Sequence, residues 1–90
     1  MNTHIVIYQL DDSSADYGLI SRKIKTYPNW AKLYPRMWLI RTNKSTRSVR
    51  TELSDAIDGR GSIVVINITD SSWSSYRLDD DLVTWMKEHV

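Results

Sequence analysis

Residues 30–42 read Trp30-Ala31-Lys32-Leu33-Tyr34-Pro35-Arg36-Met37-Trp38-Leu39-Ile40-Arg41-Thr42, and within them the hydrophobic period changes from helical to alternating. Tyr34-Pro35-Arg36 lies midway, with aromatic or apolar residues on either side. This predicts two antiparallel strands, Trp30–Tyr34 and Met37–Arg41, around a short turn. Pro35 has no amide hydrogen to give a ladder, so it belongs in the turn or on an edge.

Upstream of this hairpin, His4-Ile5-Val6-Ile7-Tyr8-Gln9-Leu10 is a nearly continuous apolar run rich in β-branched residues. Such a run predicts a strand covered on both faces and central in its sheet. Asp11-Asp12-Ser13-Ser14 supplies turn residues, and Ser14 or Asp16 can cap a helix whose inner face carries Tyr17, Ile20, Ile24 and Tyr27. Arg22, Lys23 and Lys25 fall away from that face, and Pro28-Asn29 stops the helix.

Downstream, Ser45 or Thr46 caps a second helix with Val49, Leu53, Ala56 and Ile57 inward and Arg47, Arg50 and Glu52 outward. Gly59 and Gly61 end it. Ser62 to Thr69 forms another apolar run, expected as a second covered strand beside the first at the centre of the sheet. Asp79-Asp80-Asp81 opens a last helix, its acidic first turn matching the helix dipole, with Leu82, Trp85 and Met86 on one face. Strand, helix, strand, strand, helix, strand is the split βαβ plan. The fold expected is a single α+β domain over residues 1–90: a ferredoxin-like sandwich with a four-stranded antiparallel sheet and an added C-terminal helix. The open face or edge of such a sheet is expected to be closed by that helix or by a second copy.

The 90 residues suffice for one core. The aromatic side chains are Trp and Tyr, with no Phe, a mix suited to half-covered rings at interfaces. Absence of cysteine excludes disulfides, thiolate chemistry and Cys-ligated zinc. No apolar run approaches the roughly 18 residues of a membrane span, and no leader-like segment opens the chain, so a cytoplasmic location is expected. A net charge of +1 gives no global field, and nucleic-acid binding would rest on a local patch.

Tyr8 and Leu10, Asp16-Tyr17, Ile24-Lys25, Trp30, Trp38-Leu39-Ile40-Arg41-Thr42, Arg50 with Leu53, Ile57-Asp58, Val64-Val65, Trp73 and Trp85-Met86-Lys87 together give the chain a pattern that resembles the small bacterial "SinR family protein" group. The resemblance runs nearly end to end. That label borrows the name of a helix-turn-helix repressor, but no such motif occurs here, and the name carries no functional weight. More loosely, the layout is similar to the ferredoxin-like CRISPR adaptation nuclease subunit and to the VapD ribonuclease toxins. The resemblance implies a homodimer associated with RNA or DNA, with magnesium or manganese as cofactor only if it is a nuclease. Those relatives carry an aspartate at the end of the first strand, and the matching residue here is Gln9. A neutral amide lacks the charge a hard cation needs, which points to weak or absent hydrolysis.

Candidate residues follow. Asp11, Asp12 and Asp16 are the candidates for catalysis or metal binding, against the simpler reading of turn and cap chemistry. Arg22, Lys23, Lys25, Arg47 and Arg50 are the candidates for a phosphate-tracking stripe, against that of a solvated face. Trp30, Tyr34 and Trp38 are the candidates for a stacking platform, or for part core and part dimer interface. His4 and His89 have no adjacent nucleophile arrangement, and Gly59-Arg60-Gly61 lacks the lysine of a phosphate loop. Two functions remain: a dimeric nucleic-acid-associated protein, or a non-catalytic interaction module such as an antitoxin, inhibitor or accessory subunit that docks on a protein.

Overall fold

The computed structural model describes residues 1–12 and 16–90. In chain order its elements are β1 (Asn2–Leu10), α1 (Gly18–Ile24), β2 (Asn29–Tyr34), β3 (Met37–Thr42), α2 (Thr46–Ala56), β4 (Gly61–Asn67) and α3 (Asp80–His89). The result is a small α+β domain with one four-stranded antiparallel sheet, ordered β2-β3-β1-β4. The hairpin lies where the change of period places it. Pro35 and Arg36 form its turn, and Arg36 takes a φ of 66°, the positive value that the third residue of a type II turn requires.

Alternation along β1 and β3 sorts the sheet into two faces. Val6, Tyr8, Leu10, Trp38 and Ile40 meet Ile20 and Ile24 of α1 and Val49, Leu53 and Ile57 in and beside α2 to form the core. Trp38 Nε1 donates to Tyr8 Oη at 3.0 Å, so both polar ring atoms are satisfied in the interior. His4 is also fully buried; its Nε2 donates to the Lys44 carbonyl at 2.9 Å, while Nδ1 has no partner among the described residues.

On the opposite face Leu39 and Ala31 are buried, and α3 lies against β2. Arg41 Nη1 donates to the His89 carbonyl at 2.9 Å, and Thr3 Oγ1 donates to the same oxygen. The last turn of α3 is thereby tied to β3 and β1. Capping follows the sequence in two helices: Ser45 Oγ accepts from the Ser48 amide, and Asp79 Oδ1 accepts from the Asp81 amide.

Three expectations need correction. β4 is an edge strand, not a central one, because β3 already occupies the other side of β1. Its Val64 and Ile66 consequently stand 52% and 47% exposed. α1 starts later than its periodicity suggests and has no side-chain cap among the described residues; Asp16 instead accepts from the Gly18 amide at 2.7 Å. Ser14, the other expected cap, lies outside the described residues. Glu52 turns toward α1 rather than outward and is only 25% exposed.

Candidate functional site

The basic residues of the two helices divide by their partners. Lys23 Nζ and Lys44 Nζ converge on Glu52, at 3.4 and 2.8 Å. Tyr27 Oη donates to the same carboxylate at 3.2 Å. The hydrogen bond from Lys44 is the main cause holding the Glu52 carboxyl below the usual range. Tyr27 is pushed well above the usual tyrosine value, first by burial and then by the Glu52 charge. Arg22 sits 3.8 Å from Asp16 with both side chains exposed, a weak pair.

Arg47 and Arg50 are different. Both are exposed, and neither has an ion pair among the described residues. They lie three apart on α2 and are therefore neighbours on its surface, and no acid stands three or four residues from either. Arg47 occupies the first turn, which contains no acidic residue, beside the positive end of the helix dipole. Like charges on adjacent turns next to helix amides concentrate positive potential where a phosphate would be stabilised.

Lys25 joins a second group rather than a single stripe. Its ammonium lies 5.4 Å from the Trp30 ring and 5.9 Å from Trp38, and Lys32 approaches Trp38 at 5.7 Å. Trp30 and Trp38 share the helical side of the hairpin at 5.9 Å, but Trp30 is 41% exposed and Trp38 only 3%. A register shift between Lys32 and Tyr34 separates Tyr34 from them. Tyr34 lines a shallow depression on the α3 side with Leu33, Tyr76, Leu78 and Met86.

At the C-terminal end of β1, Asp11, Asp12, Asp16, Asp58 and Arg60 rim a cavity of about 480 Å³ whose apolar wall includes Leu10, Leu19 and Ile57. Among the described residues no group of three or more His, Asp or Glu side chains is set to hold a metal ion. Gln9 Oε1 accepts from Arg36 Nη1 at 2.7 Å, and the Arg36 guanidinium lies 4.8 Å from the Tyr17 ring. A fixed positive charge thus stands beside the residue that would need to attract a cation.

Sequence reasoning missed the Glu52 hub and the Asp58–Arg60 side of the cavity. Both join residues distant along the chain, and only the aspartate spacing hinted at the second. Compared with known proteins, the chain matches no family model, no curated protein and no solved structure.

Proposed function

We propose that this chain is a homodimeric, ferredoxin-like nucleic-acid-associated protein, comparable to the CRISPR adaptation subunit and VapD types, with nuclease activity weak or absent. The strand order β2-β3-β1-β4, with both crossover helices on one face, supports the fold assignment. The observation that carries the functional reading is the Arg47–Arg50 couple at the start of α2, which has no ion pair among the described residues, set against Lys23 and Lys44, which share the single charge of Glu52. Lys25 beside the exposed Trp30 adds a second cation near a ring that a base can stack on. Low hydrolytic activity follows from Gln9, a neutral amide already bonded to Arg36.

The test is retention of mixed short RNA and DNA by the purified protein across a salt series. Binding should weaken steeply with salt, and Arg47→Gln with Arg50→Gln should weaken it further without changing the urea midpoint. If the double substitution leaves binding untouched, the α2 surface is a solvated face and the reading fails. The exposed apolar side chains of β4 favour a second reading, a non-catalytic module that docks on a protein. Indifference to nucleic acid at all salt concentrations would select it.

A further inference from the structure

β4 ends the sheet, and among the described residues no strand pairs with its outer edge. The Ile68 amide donates to the Thr3 carbonyl at 2.8 Å and the Asp11 amide to the Arg60 carbonyl at 3.0 Å, both continuing the β1–β4 register. In an antiparallel ladder, pairs that exchange both backbone bonds alternate with pairs that exchange none. The bonded pairs are therefore Ile5–Ile66, Ile7–Val64 and Gln9–Ser62. It follows that Gly61, Ile63, Val65 and Asn67 turn their amides and carbonyls away from β1, toward the open edge.

Exposed edges are normally guarded by charge, proline, a bulge or a cover. Gly61–Asn67 has no charged residue and no proline, and its register with β1 is uninterrupted. The other edge is guarded: β2 carries Lys32, a register shift before Tyr34, and Pro35 at its end.

We propose that β4 pairs antiparallel with β4 of a second copy of this chain, about a two-fold axis through Val64; this rests on the homodimer in the reading above and assigns its surface. Val64 is the midpoint of the strand. This register sets Gly61 opposite the partner's Asn67, Ser62 opposite the partner's Ile66, and Ile63 opposite the partner's Val65. Every outward-turned backbone group then meets another outward-turned group, so the whole strand bonds. Val64 faces the partner's Val64 at a non-bonded position, where Cα atoms approach to about 4.5 Å. The half-exposed Val64 gains cover from the partner's Val64, and Ile66 from the partner's Ser62 opposite it and the partner's Val64 on the diagonal. With the β2 edges guarded, the assembly closes at two copies instead of growing into a fibre.

Because the chain has no cysteine, Val64→Cys introduces a single thiol at the axis. A Cα separation of about 4.5 Å lies within the roughly 4.4–6.8 Å that a disulfide spans. Mild oxidation should convert the variant to a covalent dimer, while Asp70→Cys, outside the strand, should crosslink far more slowly. By light scattering on a sizing column the unaltered protein should be a dimer, and Val64→Lys, which sets two ammonium groups face to face, should shift it to monomer. If Val64→Lys fails to fold, the crosslinking comparison still decides. An unaltered protein that is monomeric, or a Val64→Cys chain that crosslinks no faster than Asp70→Cys, overturns the proposal. Nucleic-acid retention is measured on the same samples. A crosslinked dimer that ignores nucleic acid keeps this surface and sinks the nucleic-acid reading; a monomer that retains nucleic acid sinks this surface and the homodimer and keeps the nucleic-acid association.

Discussion

Glu52 holds three partners on two oxygens, and their charges set how the fold responds to pH. Its carboxyl is held low mainly by the bond from Lys44, so the stabilisation is present above the ordinary glutamate range, about 4.3, and is lost as pH falls through the lowered value. Tyr27 is the opposite case. Its raised value means the unfolded chain ionises first, so stability falls as pH rises past about 10. Urea midpoints across pH should show both limbs; Glu52→Gln should flatten the acid limb and Tyr27→Phe the alkaline one. Trp38 and Tyr8 form the other buried pair that decides much at one point. Removing either polar atom strands its partner, so Trp38→Phe and Tyr8→Phe should each cost about 1–3 kcal/mol. Because both changes remove the same bond, the double variant should cost less than the sum, measured by a denaturation cycle.

Among the elements, α3 depends on a few contacts at its end. Arg41 and Thr3 both donate to the His89 carbonyl, where an arginine also favours the negative end of the helix dipole. Arg41→Met keeps most of the side-chain volume and removes the charge. Hydrogen exchange of the α3 amides should accelerate by about tenfold or more, a loss of about 1.5 kcal/mol, while exchange in β1 stays slow. Nothing local to Arg41 in the sequence announces a helix end nearly fifty positions away. Periodicity did reveal every strand and helix, since Ile20, Ile24, Val49 and Leu53 repeat at helical spacing and each is fully buried. It misled on β4. A run such as Ile63-Val64-Val65-Ile66 reads the same whether a strand is covered by its own chain or left for another, and only the strand order tells the two apart. The site was legible in the same uneven way: Arg47 and Arg50 stand out by spacing, whereas the pairing of Lys23 with Glu52 is a tertiary fact.

At the scale of the whole molecule, the two proposals constrain one another through α2. That helix packs over β4, so joining two copies along β4 carries both α2 helices to the middle of the same side of one continuous sheet. Arg47 and Arg50 from each copy would then serve one nucleic-acid strand in place of two. Each phosphate neutralised contributes about 0.7 to the salt slope for a single strand and about 0.9 for a duplex. A dimer should therefore show about twice the slope of a monomer on oligonucleotides long enough to reach both helices, and the same slope on very short ones. Val64→Lys provides the comparison, and its direction is informative because an added lysine by itself would strengthen retention. A Val64→Lys monomer that binds long oligonucleotides more weakly, with a slope near half, would tie the basic surface to the β4 edge. An undiminished slope would mean that each copy binds alone, and that the edge serves assembly without serving the nucleic acid.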